Sequence, residues 1–359
     1  MKRLFFIVFF LALFFSPFFW YFNLSFGNTR YSSLITTLFF LSILFPVLRK
    51  LRHVSHLSFF SMGLLSFIFL FSLTKDIAIL FNLTIEHEWV LGASILFGLV
   101  ATKNALKKPI IKNIKVEIEN LPQELCGLKI AHISDLHIGP SIGKNYVENV
   151  VNAVNDIKPD LIALTGDIGD GPVKEHREAI VPIGKLKSKL GVFYVPGNHE
   201  YYWDANEWMN ALNNLKVIVL VNRGKILHYN NRNILICGVP DPVSRLELDV
   251  ITPLQIEASA PLKILLSHRP NLSIIASQNG YDLQLSGHTH GGQFFPWTIF
   301  VKLFHKNVAG LYKINKMWLN VNPGTGSWGP MMRLGTRTEI SLIEINSPHQ
   351  VHNSLVKNL

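Results

Sequence analysis

The stretch LKIAHISDLH, residues 128–137, decides how this chain is read. Leu128 to Ile133 is a short, mainly apolar run just after Gly127, the pattern of a buried strand, and it leads into Ser134-Asp135-Leu136-His137. The same arrangement recurs downstream. Leu161 to Leu164 leads into Gly166-Asp167-Ile168-Gly169-Asp170, and Gly191 to Val195 into Pro196-Gly197-Asn198-His199-Glu200. Ile264 to Leu266 leads into Ser267-His268, and Leu283 to Leu285 into Ser286-Gly287-His288-Thr289-His290. Ile234 to Cys237 reads as a further strand, and Asn145 to Asn155 as a helix, with Val147, Val150, Val151 and Val154 at helical spacing. From Ile114 onward the chain therefore reads as a layered α/β domain, with no internal repeat or low-complexity tract.

Five of these strands deliver Asp, His or Asn at or just beyond their C-terminal ends, where α/β sheets place ligand sites. In Asp135/His137 and in His288/His290 the partners are two residues apart, so a locally extended chain would aim both at one ion. Imidazoles, carboxylates and an amide form a nitrogen and oxygen set suited to Mn, Fe or Zn, less so to copper or calcium. Glycines 166, 197, 287, 291 and 292 let the backbone turn sharply after each strand. A single such residue is more often structural, but seven sharing one placement make coincidence a poor account. His132, inside the first strand, reads instead as a satisfied core histidine. Tyr201, Tyr202, Trp203, Phe294, Phe295, Trp297 and Trp328 flank the motifs and either line a lipid or nucleobase pocket or serve packing.

Taken in order, these five motifs resemble those of the calcineurin-like metallophosphoesterases over about Lys129 to His290. The tail from Asn322-Pro323-Gly324 through Arg337-Thr338-Glu339 resembles the end of the membrane-anchored bacterial branch. The resemblance implies a four-layer α/β/β/α sandwich. It implies one metal held by Asp135, His137, Asp167 and His290 and a second by Asp167, Asn198, His268 and His288, with Asp167 bridging. A carboxylate can link two cations about 3.5 to 4 Å apart, and such a pair clamps a phosphoryl group, generates hydroxide and stabilises in-line displacement. His199 would contact phosphoryl oxygens or protonate the leaving group, and Asp170 would orient it.

The rest of the chain has a different character. Of 359 residues, 48% are hydrophobic and 16% charged, too apolar for one ordinary soluble domain, and the excess lies before Lys107. Leu4 to Phe22, Tyr31 to Leu48 and Leu57 to Thr74 are uncharged runs long enough to span, and Trp89 to Thr102 is a shorter fourth candidate. If all four cross, Lys2/Arg3, Arg49/Lys50/Arg52 and Lys103/Lys107/Lys108/Lys112 share one side, opposite Arg30, Lys75, Asp76, Glu86 and Glu88. The positive-inside rule then places the α/β domain in the cytoplasm, for a bacterial inner-membrane protein. The expected organisation is an all-α membrane region over 1–105, a linker and first strand over 106–126, the phosphoesterase domain over 127–345 and a tail over 346–359.

Eight of the 34 basic and three of the 24 acidic residues lie in the first 105, so the remainder is only mildly basic and a nucleic-acid partner is disfavoured. Cys126 and Cys237 read as reduced buried thiols. The expected function is a membrane-anchored, dinuclear-metal phosphoric ester hydrolase acting by metal-bound hydroxide on a phosphodiester or pyrophosphate. In the narrower reading its substrate is a lipid or lipid precursor. A metal-dependent nuclease or nucleotide phosphodiesterase and a non-catalytic membrane scaffold are the alternatives. Oligomeric state is not legible.

Overall fold

The computed structural model describes residues 16–27, 29–43 and 52–348. The expected span Leu4 to Phe22 lies mostly outside those residues, as do the end of Tyr31 to Leu48, the basic residues Lys2, Arg3, Arg49 and Lys50, and most of the tail. The chain forms two compact units.

The first unit comprises the chain up to Lys107 together with 294–297 and 328–335. Its helices are α1 (Ser32–Ile43), α2 (Arg52–Ile79) and α3 (His87–Ala105), and residues 16–26 are helical as well. Phe22, Phe26, Ile35, Phe39 and Ile68 are buried together at its centre, yet its surface is apolar too. Ser42, Ser58 and Ser94 are buried, whereas Leu57, Leu73, Trp89, Leu96 and Leu99 are exposed. The Ser42, Ser58 and Ser94 hydroxyls each donate to the carbonyl four residues back, at 2.8, 2.9 and 2.7 Å respectively. Helices apolar on both their inner and outer faces suit a lipid surrounding.

Within α2, Val54–Ile79 is long and apolar enough to cross a membrane. Its 26 residues rise about 39 Å against about 30 Å of hydrocarbon. The shorter fourth run proves to be part of a 19-residue helix that extends past it at both ends. Lys75 and Asp76 lie on the last turns of α2, not in a loop. Lys75 is buried, with Nζ 3.2 Å from His87 Nε2 and 3.6 Å from the Asp76 carboxylate, which accepts a 2.6 Å bond from the Tyr21 hydroxyl. Phe294 packs into this unit, its ring centroid 5.6 Å from that of Phe67, and Trp297 Nε1 donates to Ser66 Oγ at 3.2 Å.

The second unit is a β/β sandwich with helices outside it. In chain order its elements are β1 (Ile110–Glu117), β2 (Leu128–Ile133), α4 (Lys144–Asp156), β3 (Leu161–Leu164), α5 (Val173–Ile180), β4 (Val192–Tyr194), α6 (Asn198–Trp203), α7 (Ala205–Asn214), β5 (Ile218–Val219), β6 (Arg223–Tyr229), β7 (Arg232–Gly238), β8 (Leu262–Leu266), α8 (Ser273–Gln278), β9 (Leu283–Ser286), α9 (Trp297–Phe304), β10 (Gly310–Ile314), β11 (Met317–Val321) and β12 (Glu339–Asn346). One sheet has the order β1-β12-β2-β3-β4-β5 and the other β10-β11-β9-β8-β7-β6.

Ile130, Leu161, Phe193 and Ile343 of the first sheet form one buried cluster with Ile234, Ile236, Ile264 and Leu283 of the second. That layer holds the sandwich together; at about 1.5–3 kcal/mol per buried aliphatic side chain it is the main stabilising term. Val147, Val150, Val151 and Val154 of α4 are buried, covering the outer face of the first sheet. Leu235, Cys237 and Leu265 pack with Leu272 and Ala276 on the outer face of the second. The four layers expected from the resemblance are present. His132 is fully buried, with Nε2 2.8 Å from Thr165 Oγ1 and Nδ1 2.9 Å from Asn320 Nδ2, a satisfied core histidine that burial pushes down to about 3.

Candidate metal centre

Parallel strands β2, β3 and β4 bring Asp135/His137, Asp167/Asp170 and Asn198/His199 to one end of the first sheet. The parallel pair β8 and β9 brings His268 and His288/His290 to the same end of the second. The seven expected ligands therefore converge from two facing sheets. Asp135, His137 and His290 form one group and Asp167, His268 and His288 another, with potential ligand atoms within 4.8 Å of one another in each.

Nε2 of His137 and Nε2 of His290 are 3.1 Å apart, and Nε2 of His290 is 3.4 Å from Asp135 Oδ1. On the other side, His268 Nε2 lies 3.2 Å from Asp167 Oδ2, 3.2 Å from Asn198 Oδ1 and 3.3 Å from His288 Nδ1. Donor atoms bound about 2.1 Å from one ion are spaced about 3.0–3.4 Å from one another, so both clusters fit a divalent cation. Burial pushes His137 down to about 3 and His288 down to about 2, leaving neutral rings with lone pairs to donate. Burial also opposes the charge on His268, but Asp167 beside it prevails and holds that ring up at about 10.

The local backbone departs from the extended geometry expected for the paired ligands. Asp135, His137, Asp167, His288 and His290 all have φ between 51 and 73°. This left-handed conformation is costly for residues with side chains, and it turns the chain sharply at the ends of β2, β3 and β9. The glycines serve two purposes rather than one. Gly166 has φ 88°, whereas a Cβ on Gly287 would lie 1.9 Å from Ser134 Oγ and 2.1 Å from Asp135 Oδ2, so what that position needs is close approach.

His199 stands beside the cluster. Its Nδ1 lies 3.1 Å from Asp170 Oδ1, which also accepts from Trp203 Nε1 at 3.2 Å, and its Nε2 is 4.0 Å from Asp167 Oδ2. Burial pulls its pKa down, yet the Asp170 bond and the Asp167 charge raise it to about 9. Tyr202 is half exposed, its ring edge-on to His199 at 5.3 Å. Among the flanking aromatics, Tyr202 and Trp203 border the centre, whereas Phe294 and Trp297 belong to the helical unit.

Other residues give the sequence pattern no reason to single them out. The buried Glu200 carboxylate accepts from the backbone N–H groups of Asp167, Gly169 and Gly197 at 3.0, 3.0 and 2.7 Å, clamping two motif loops together. Burial and the adjacent Asp167 charge push it up to about 7 against those donors. The buried Asp241 takes Arg269 in a two-point bond of 2.7 and 3.2 Å, and this guanidinium adds to the forces keeping His288 neutral. His305 packs edge-on to His288 with ring centroids 6.0 Å apart. Arg269 directly follows His268 and could have been noticed for that; nothing in the sequence marks His305.

Residues 128–292 match the family model for the calcineurin-like phosphoesterases. A metallophosphoesterase of Aquifex aeolicus is 34% identical over 242 residues, covering 66% of this chain and 91% of that one. The chain belongs to the calcineurin-like phosphoesterase family. Within it, a zebrafish transmembrane protein with a metallophosphoesterase domain is 34% identical over 69% of this chain, and a metallophosphoesterase of Campylobacter jejuni 35% identical over 67%. This calcineurin-like chain spans 59% and 64% of the lengths of those two relatives. Likeness to solved structures is distant: a 5′-nucleotidase precursor of Thermus thermophilus is 15% identical over 64% of this chain and 58% of that one, with a TM-score of 0.38.

Proposed function

We propose that this calcineurin-like phosphoesterase is a membrane-anchored, metal-dependent hydrolase of a phosphodiester or pyrophosphate, with a lipid or lipid precursor as substrate. Asp135, His137, Asp167 and His290 would hold one divalent ion, and Asp167, Asn198, His268 and His288 a second. The observation that carries this reading is the position of Asp167 Oδ2, 3.2 Å from His268 Nε2 and 3.9 Å from His137 Nε2, within reach of both groups. When bound, such ions stabilise charge on a phosphoryl group in transition and acidify water. The chain's own residues do the rest. Asp170 and Trp203 fix the His199 ring so that Nε2 faces the cluster, and its proton passes to the leaving oxygen. Glu200 keeps the Asp167 and Asn198 loops in register.

Anchoring is supported by the membrane-competent helix and the exposed apolar surface of the first unit. If all four segments cross, the basic residues Arg49, Lys50, Arg52, Lys103, Lys107, Lys108 and Lys112 on one side, against Arg30 and Lys75 on the other, support a cytoplasmic catalytic domain at a bacterial inner membrane. The test is a substrate panel on full-length protein in detergent, loaded with Mn²⁺ and containing an aryl phosphodiester, phospholipids, a lipid-linked nucleotide diphosphate and mononucleotides. Hydrolysis of the aryl diester and of at least one lipid ester is expected. Inertness towards every ester with metal bound would overturn the reading, and activity confined to water-soluble nucleotides would remove its lipid half.

A further inference from the structure

Between His290 and His305 the chain leaves the metal centre and comes back to it. Four residues past His290 it reaches Phe294, and Phe294 to Trp297 belong to the same compact unit as α1, α2 and α3, where Phe294 meets Phe67 and Trp297 meets Ser66 on the membrane-competent helix. It then forms α9, which buries none of its residues. Ile299, Leu303 and Phe304 are 54, 73 and 81% exposed; Ile299 and Leu303 lie one turn apart, and Phe300, 43% exposed, and Phe304 form the adjoining row, so α9 presents a broad apolar stripe to its surroundings. Lys302 and Lys306 are exposed next to the stripe. Immediately after α9, His305 packs on His288.

An apolar stripe rimmed by lysines is the build of a helix lying in a membrane interface. What says that lipid covers it is continuity: the residues directly preceding the stripe already pack on a helix that is apolar along the length of a bilayer. We infer that α9 lies in the lipid headgroup layer, with Ile299, Leu303 and Phe304 against acyl chains and Lys302 and Lys306 among headgroup phosphates, so that the centre draws its phosphoester from the bilayer surface. The placement of α9 stands by itself; the delivery of substrate rests on the hydrolytic reading above.

The experiment uses full-length protein in nanodiscs of three parts phosphatidylcholine to one part phosphatidylglycerol. A spin label on Leu303→Cys, in a Cys126→Ser background, is compared with one on Lys225→Cys, an exposed position on β6. Collision with oxygen but not with a water-soluble nickel chelate at position 303, and the reverse at 225, is expected. Nickel access at 303 equal to that at 225 overturns the placement. For delivery, the Leu303→Glu/Phe304→Glu variant should raise KM for a vesicle-borne phosphoester at least 10-fold while kcat/KM for a soluble aryl diester stays within 2-fold. An unchanged KM, or an equal loss on both substrates, overturns delivery. If the unaltered protein hydrolyses neither, the hydrolytic reading has failed and delivery with it, while the spin labels still decide where α9 lies.

Discussion

Asp167 engages three histidines through one carboxylate: Oδ1 accepts the His199 backbone N–H at 2.8 Å, and Oδ2 faces His268 and His137. Asp167→Asn keeps the shape but gives up the charge that two cations would share. Metal content measured by mass spectrometry should fall from about two ions per chain to one or none, with kcat down by at least about 100-fold. His199→Ala should behave differently, losing about 10²- to 10⁴-fold in kcat while retaining its metal. Glu200→Gln turns an acceptor of three backbone donors partly into a donor. It should cost about 2–3 kcal/mol in chemical denaturation, although the side chain would never touch substrate. These residues were not equally legible. The candidate ligands could be picked out because Asp, Asn and His at the ends of apolar strands are conspicuous by chemistry. The role of Glu200 could not, since its partners are backbone groups that no side-chain pattern reveals. The left-handed backbone at Asp135, His137 and Asp167 was only half legible: Gly166 marked a sharp turn after one strand, but the ligand pairs themselves read as extended chain.

At the scale of elements, β2 and β3 appear with the limits the sequence suggested, because a buried strand in a parallel sheet is apolar on both faces and announces itself as a short run. Partnership was harder to see. β1 pairs in parallel with β12, more than two hundred residues away, and the five ligand-bearing strands divide between two sheets. Loop packing was equally hidden. Gly169, between Asp167 and Asp170, lies so close to Trp208 of α7 that an added Cβ would come within 1.9 Å of the indole, whose Nε1 donates to Gly171 O at 3.0 Å. Gly169→Ala should therefore destabilise by about 1–3 kcal/mol through overpacking. Combined with Trp208→Leu it should cost less than the sum of the two single changes, a coupling that a double-mutant cycle in urea would measure.

At the scale of the molecule, an average of 48% hydrophobic residues resolves into two unlike surfaces. The first unit exposes Trp89, Leu96 and Leu99, whereas the sandwich buries its aliphatics between two sheets. Alkaline carbonate should leave the full-length chain in the membrane pellet, and its appearance in the supernatant would contradict an integral anchor. Chelation should act on the other unit. Removing divalent ions from the detergent-solubilised protein should abolish phosphoester hydrolysis and lower the midpoint of thermal unfolding, and added Mn²⁺ should restore both.

The division of the ligands between sheets also sets an order of events during synthesis. Asp135 emerges first and His290 last, with 154 residues between them, and the candidate cluster is complete only when both have arrived. The helices precede both along the chain, so they can reach the bilayer while the sandwich is still incomplete. On the function proposed above, a chain cut short before His290 should stay in the membrane fraction but bind less metal and hydrolyse nothing.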